Sequence, residues 1–267
     1  TLTLDSGDDA IHAETDLTIV GGVIDITKSV EGLEGQDIAI SGGKIDIVAS
    51  DDGINASEGG NGTDNTADFG GFGQGGGFAD QQNATLTISG GTITVNAQGD
   101  ALDSNGSMTV SGGTTYVSGP TNGGNGALDC DNASITGGTV IAAGSAGMAM
   151  NFGSNSTQCS MLVSFDQAVS GGTEVVLKDS DGKTVLSFTP EKDYQTVVLS
   201  SADIKTGETY TVTAGSQSST VEMTDTIYGS GGMMGGHGGF RMERAEGGNA
   251  PDAQSSATTD AESSATV

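Results

Sequence analysis

The chain has 267 residues, with 46 Gly, 3 Pro and no Trp, and only 16% of its residues are charged. This composition favours a β-rich protein with many tight turns and argues against a helical bundle, which needs Leu, Glu, Lys and Ala at helical spacing. The net charge of −27 argues against nucleic acid as a partner, because binding it needs a basic face. No apolar run is long enough for membrane insertion.

An internal repeat is the strongest pattern in the sequence. A short β-pattern such as Ile38–Ser41 precedes each of five Gly-Gly pairs, and a second one such as Lys44–Ile47 follows it. The pairs are Gly21-Gly22, Gly42-Gly43, Gly90-Gly91, Gly112-Gly113 and Gly137-Gly138. A third short segment closes each unit, with copies at Ala10–Ala13, Gly32–Gly35, Gly53–Ala56, Ala101–Ser104, Ala127–Cys130 and Gly147–Met150. Three strands per unit predict an all-β fold, a right-handed three-sided parallel β-helix.

Each predicted strand alternates apolar and polar residues with period two, so one side of each strand points into the core. Stacked turns place like residues on like. The inward columns are Ile19/Ile40/Ile88/Val110, Ile24/Ile45/Ile93 and Ile11/Leu33/Ile54/Leu102/Leu128/Met148. The Gly pairs fit bends between faces, where a positive φ or a close backbone approach is needed.

Composition divides the chain into three parts. The β-helix is predicted over 1–159, with a Gly-rich insertion at about 59–83. Residues 160–228 lose the repeat and show hairpin signals, which predict a C-terminal antiparallel β cap or small sandwich. Its expected strands are Glu174–Leu177, Thr184–Phe188, Thr196–Leu199, Thr209–Val212 and Thr220–Met223. Residues 229–267 are of low complexity and are expected to be a flexible tail.

Two further features of the sequence concern processing and redox state. Cys130 and Cys159 form either a single disulfide or two buried thiols that behave as small apolar residues. Thr1 is not a natural start, and Leu2 and Leu4 align with the second half of a repeat. We therefore expect a removed upstream segment, and further turns or a cap before Thr1 in the parent protein.

Acidic residues recur at fixed places around the third segment of the repeat. The position before it holds Asp9, Glu31, Asp52 and Asp100, with Asp8 and Asp51 as second acids in two turns. The outward position within it holds His12, Glu34, Asn55, Asp103 and Asp129. Two residues later stand Glu14, Gln36, Ser57, Asn105 and Asp131. The acids either solubilise the chain or bind cations.

Stacking of the acids favours a cation. Carboxylates on adjacent turns, about 4.8 Å apart, repel by about 0.9 kcal/mol in bulk water and by several-fold more near a protein surface. Calcium takes six to eight oxygen ligands of these types, whereas zinc or copper prefers His and Cys clusters. The predicted ligands are Asp8, Asp9, Glu31, Glu34, Asp51, Asp52, Asn55, Asp100, Asp103, Asp129 and Asp131. His12 is interpreted as a surface residue aligned with them.

The repeats also resemble a known family. The motifs Ile38-Ala39-Ile40-Ser41-Gly42-Gly43-Lys44-Ile45-Asp46-Ile47 and Ser50-Asp51-Asp52-Gly53-Ile54-Asn55-Ala56 resemble those of the clostridial carbohydrate-binding β-helix proteins. So do the Gly/Phe-rich insertion and the Gly/Met-rich tail, and the resemblance covers about Thr1 to Phe240. It implies a secreted, extracellular or cell-surface protein that binds calcium and an acidic plant polysaccharide such as polygalacturonate, or cellulose.

The resemblance transfers best to the third turn. Asp51, Asp52 and Asn55 match the family's acidic motif, and neighbouring turns carry its variants at Asp8, Asp9, Glu31 and Glu34. Asp100 and Asp103 match less fully because Gly99 replaces the first acid, and Gly126 and Ala146 interrupt the pattern around Asp129 and Asp131.

Three functions are compatible with the sequence: a non-catalytic module for acidic glycans, a calcium-dependent polyuronate lyase, and a structural surface adhesin or spacer. A lyase needs an Arg or Lys base, but residues 1–160 contain no Arg and only Lys28 and Lys44. The absence of Trp argues against a flat aromatic platform for cellulose, although Tyr116 and Phe152 either stack on sugar or pack locally. The sequence favours the binding module.

Overall fold

Period-two alternation produces strands throughout the repeat region. The structure is a computed structural model that describes residues 1–58 and 83–229, all within the compact unit Thr1–Met233. The predicted insertion up to residue 82 and the predicted tail from residue 230 lie outside the described residues. The strands of the repeat region are β1 (Leu2–Asp5), β2 (Ile11–His12), β3 (Asp16–Ile19), β4 (Val23–Lys28), β5 (Leu33–Gly35), β6 (Asp37–Ala49), β7 (Ile54–Ala56), β8 (Ala84–Ala97), β9 (Leu102–Ser118) and β10 (Leu128–Gly144).

These strands stack in parallel as a β-helix of about five turns. One face pairs β1, β4, β6, β8, β9 and β10 in that order, and a second pairs β2, β5, β7 and the start of β9. The predicted fold class is confirmed. The strands are longer than expected, because pairing continues through the Gly-Gly bends with only register shifts.

The two glycines of each bend have different roles. The second one has a positive φ, for example 101° at Gly43 and 91° at Gly91, a conformation that glycine adopts without steric cost. From Gly42-Gly43 onwards, the first glycine lies against the previous turn: a β-carbon on Gly42 would lie 2.7 Å from the Val20 carbonyl oxygen. Both predicted reasons for the pairs therefore apply, one at each position.

The predicted core columns are present with one exception. The pairing aligns Ile19, Ile40, Ile88 and Val110 in one column, and Ile11, Leu33, Ile54, Leu102 and Leu128 in another. The prediction that Met148 is the sixth strand residue of this column is wrong, because β10 ends at Gly144 and Met148 lies in a turn after it. Its carbonyl oxygen lies so close to Gly126 that a β-carbon there would be 2.7 Å away.

Thr115 is a polar residue within an apolar column. It pairs between Ile93 and Val140 and is 1% exposed. Its Oγ1 has no hydrogen-bond partner in the described part of the chain. A buried hydroxyl without a partner loses its hydration with nothing in exchange.

We expect Thr115→Val to stabilise the protein by about 1 kcal/mol, because valine keeps the shape and removes the unpaired hydroxyl. Urea denaturation measures the change in the free energy of unfolding. The control is Thr94→Val on the half-exposed face of β8, which we expect to change stability by less than about 0.5 kcal/mol. Equal or lower stability of the Thr115 variant would show that its hydroxyl is satisfied in the folded protein.

The segment after the repeat supplies strands to two sheets. They are β11 (Ser160–Val169), β12 (Val175–Lys178), β13 (Thr184–Phe188), β14 (Tyr194–Ser200), β15 (Thr209–Ala214), β16 (Gln217–Glu222) and β17 (Ile227–Tyr228). β14 pairs antiparallel with β10, and β11 pairs with β14, so the edge of the last turn is covered. β17 pairs in parallel with β11 at the end of this sheet. The other four strands form a separate antiparallel sheet in the order β13-β12-β15-β16. The sequence did not predict β11 or β17.

Both cysteines are free thiols, which resolves the question of a disulfide. Cys130 is half-buried beside Asp129 and Asp103, and burial with these charges raises the pKa of its thiol to about 12. Cys159 is 9% exposed in the core between the last turn and the cap. Over residues 1–58 and 83–229, no helix has the length and apolar character needed to cross a membrane.

Candidate functional site

Two columns of polar side chains run along one face of the β-helix, and together we call them the acidic stripe. The first column is Asp9, Glu31, Asp52 and Asp100. The second column is His12, Glu34, Asn55, Asp103 and Asp129. The second column lies on the short strands β2, β5 and β7 and on the first residues of β9 and β10, and the first column lies in the bends just before these strands. The preceding apolar residues, such as Leu33, Ile54 and Leu102, are buried in the core and fix the acidic residues on the outside. The predicted stacking is therefore present in the structure.

The first column also hydrogen-bonds the turns to one another. The backbone N–H of Glu31 donates to Asp9 Oδ1 at 3.2 Å, and the Asp100 N–H donates to Asp52 Oδ1 at 2.6 Å. The Gly126 N–H donates to Asp100 Oδ1 at 2.5 Å. Each of these three aspartates thus satisfies an amide of the next turn with one oxygen. Since these bonds use only Oδ1, the Oδ2 atoms can still bind a cation.

Asn55 has a buried oxygen without a partner at the centre of the second column. The side chain is 9% exposed, and its Nδ2 donates to Glu31 Oε2 at 3.0 Å. Its Oδ1 is buried and accepts no hydrogen bond within the described residues. The strand pairing places Asn55 between Glu34 and Asp103. A buried carbonyl oxygen among carboxylates is unfavourable unless a cation or a proton donor satisfies it.

Gly99 creates space beside this oxygen-rich group. A β-carbon on Gly99 would overlap the Oδ1 atoms of both Asp51 and Asp52. The two carboxylates therefore converge on a position where any side chain would exclude them. From the sequence, Gly99 is a position where the motif lacks its first acidic residue. The structure shows that the absence of a side chain at Gly99 allows the Asp51 and Asp52 carboxylates to approach each other.

Burial and mutual repulsion shift the titration of the stripe. Burial, together with the charges of Asp52, Asp100 and Asp129, raises the pKa of Asp103 to about 8. Burial also raises the pKa of Glu31 to about 7, although the hydrogen bond from Asn55 opposes the shift.

The pKa values of three other aspartates of the stripe are also raised. Burial raises the pKa of Asp52 to about 6, against the hydrogen bond from the Asp100 amide. The pKa values of Asp100 and Asp129 also rise, chiefly through burial. Carboxyl groups held this way have a high affinity for protons or for another cation that neutralises them.

The ends of the stripe differ from its centre. The ligand atoms of Asp9, His12 and Glu34 lie within 4.8 Å of one another. His12 Nδ1 hydrogen-bonds Glu34, and this bond raises the pKa of the imidazole. This hydrogen bond explains why the three side chains lie close together, so their proximity does not identify a cation site. Asp8 is exposed at the same end of the stripe.

Asp131 lies outside the two columns. It is exposed, and the register between β9 and β10 shifts at this residue. Its charge nevertheless raises the pKa of Asp129. Among the predicted ligands, the structure thus brings Glu31, Asp51, Asp52, Asn55, Asp100, Asp103 and Asp129 together at the centre.

The aromatic candidates pack locally. Tyr116 stacks on Phe188 of the cap, with ring centroids 5.2 Å apart, and Phe152 is 2% exposed within the core. Phe152 therefore presents no open face for a sugar, and Phe188 covers one face of Tyr116.

The fold and the stripe define a class: a parallel β-helix protein with a partly buried, carboxylate-rich stripe along its axis. Oxygen atoms from carboxylates and one amide dominate the donor set, and this set fits calcium. Comparison with known proteins finds no matching family model, no similar curated protein and no similar solved structure.

Proposed function

We propose that the protein is an extracellular, non-catalytic module that binds acidic polysaccharide of the polygalacturonate type through calcium held on the acidic stripe. Cellulose is a further ligand that the resemblance to the clostridial family suggests. The observation that carries the proposal is the unpartnered Asn55 Oδ1 among Glu31, Asp52 and Asp103.

Calcium would satisfy several unfavourable features at once. It would bind the Asn55 oxygen and neutralise the repelling carboxylates of Asp52 and Asp103. Uncharged water could hydrogen-bond the Asn55 oxygen, but it would leave the repulsion between the carboxylates.

Charge explains why a cation would be required for the glycan. A chain of net charge −27 repels a polyuronate in the absence of a bridging cation. Calcium takes six to eight oxygen ligands. When the protein supplies only some of them, the other coordination positions can bind uronate carboxylates and water. Binding should therefore depend on calcium and on free carboxylates of the glycan.

The test is native affinity electrophoresis in gels that contain polygalacturonate, with calcium or with chelator. We expect retardation only with calcium, and its loss in the double variant Asp52→Asn/Asp103→Asn. The control Asp25→Asn/Asp46→Asn changes the net charge equally on a different, register-paired column and should be retarded like the wild type. Retardation in chelator, or retention by the Asp52/Asp103 variant, would contradict the proposal.

The same gels separate the alternatives. A lyase needs a free base, and Lys44 pairs with Asp46 while Lys28 lies exposed on β4 opposite Asp5. If the absorbance of unsaturated products increased during incubation with polygalacturonate, the protein would be a lyase, and these two lysines would be the candidate bases. Calcium-dependent stabilisation without retention on any glycan would leave the structural adhesin or spacer.

A further inference from the structure

A polar groove lies beside the acidic stripe, and the calcium site proposed above does not use it. Its volume is about 240 Å³, and its lining includes Thr85, Ser107, Asp131 and Asn132. The charge of Asp131 acts on Asp129 of the second column, so the groove and the stripe are neighbours. Gly106 also lines it.

The groove follows the axis of the β-helix. Thr85 pairs with Ser107, and Ser107 pairs with Asn132, so these three residues form one column across three turns. Asp16 and Asp37 occupy the same column in the earlier turns. Since adjacent strands lie about 4.8 Å apart, the three lining residues span about 10 Å along the axis. A linear polymer that follows the stripe would pass along this column.

The groove has the chemistry of a site for hydroxyl groups. The hydroxyl of Ser107 and the amide of Asn132 both donate and accept hydrogen bonds, and Asp131 accepts them. The Thr85 hydroxyl already donates to Asp37 and can accept one. A second column, Thr87, Thr109 and Ser134, extends this hydroxyl-rich surface. Among the residues that the structure describes, the groove lining contains no Lys or Arg, so a free carboxylate would find no positively charged partner there without a metal.

We propose that this groove is a saccharide subsite that binds ring hydroxyls of the glycan, while calcium on the stripe binds its carboxylates. The polymer then lies parallel to the axis of the β-helix. This inference rests on the proposed function. It adds that recognition needs free hydroxyls as well as carboxylates, and it places the sugar contact on Ser107 and Asn132.

The experiment compares the double variant Ser107→Ala/Asn132→Ala with the control Ser111→Ala/Asn155→Ala in the full chain. The control changes an exposed serine and an exposed asparagine outside the groove lining. Calorimetry with calcium alone measures metal binding, and affinity gels with calcium and polygalacturonate measure glycan binding. We expect unchanged calcium affinity in both variants and about tenfold weaker glycan binding in the groove variant only.

Each result has a definite meaning. If polygalacturonate retained the wild type and the groove variant equally, the subsite would be overturned and the proposed function would stand. A wild type that binds calcium but is not retained by polygalacturonate would overturn the proposed function, and the subsite with it. Loss of calcium affinity in the groove variant would show that Ser107 and Asn132 support the metal site rather than the sugar.

Discussion

The variant Asp103→Asn should melt at a higher temperature than the wild type in chelator at pH 8.5, and it should lose most of the stabilisation that calcium gives. Burial and the charges of Asp52, Asp100 and Asp129 disfavour the Asp103 carboxylate. Asparagine keeps its shape without its charge. We expect about 1 kcal/mol of added stability without calcium after allowance for solvent screening, or about 3 °C in melting temperature.

Calcium should reverse the order of the two proteins. A ligand at one hundred times its dissociation constant stabilises the folded state by about 2.7 kcal/mol, and only the wild type retains the Asp103 carboxylate to bind it. Thermal melts followed by circular dichroism, with calcium and with chelator, measure both effects. Asp25→Asn is the matched control and should respond to calcium like the wild type. If calcium stabilised Asp103→Asn and the wild type equally, Asp103 would not be a ligand.

The second large effect is a loss of stability as the pH rises from about 4 to about 8 in chelator. Glu31, Asp52 and Asp103 have raised pKa values of about 7, 6 and 8 in the folded protein, whereas unfolded carboxyl groups titrate near 4. Between these values the folded state binds more protons than the unfolded state. The free energy of unfolding therefore decreases with increasing pH.

We expect this decrease to be about 2 kcal/mol after allowance for solvent screening of these half-buried groups. His12, whose pKa is also raised, contributes with the same sign, since its stabilising proton is lost as the pH rises through its folded value. The variant Asp52→Asn/Asp103→Asn keeps His12 and should show a flatter profile. Urea denaturation at pH 5 and pH 8 measures the slope, and a wild-type protein that is equally or more stable at pH 8 would contradict the assignment.

Calcium should change the sign of the pH dependence. Calcium competes with protons for the same carboxyl groups, so its stabilising effect should be small at pH 5 and large at pH 8. This contrast also distinguishes site binding from general screening, which would act on the exposed acids at both pH values.

The repeat made the fold and the stripe predictable. Its period of two fixed which residues point inwards, and the alignment of Leu33, Ile54 and Leu102 fixed the register in which Glu34, Asn55 and Asp103 stack. A register shift of one residue would turn every core residue outwards, so the apolar columns determine the acidic columns as well.

The other features depend on distances that the repeat does not encode. The unpartnered oxygen of Asn55 depends on the rotation of one amide towards Glu31. The space at Gly99 is visible only when the carboxylates of Asp51 and Asp52 are placed over it. The pairing of β14 with β10 joins residues far apart in the chain, and local alternation in 160–228 predicts strands without identifying their partners.

The central claim is that the stripe binds calcium through Asp52, Asn55 and Asp103. Calorimetric titration of calcium into the chelator-treated protein tests it most directly, with Asp52→Asn/Asp103→Asn and Asp25→Asn/Asp46→Asn titrated in parallel. We predict saturable binding with a dissociation constant below about 1 mM for the wild type and the Asp25/Asp46 control, and at least tenfold weaker binding for the Asp52/Asp103 variant. Absence of saturable binding by the wild type, or equal affinity in all three proteins, would contradict the claim.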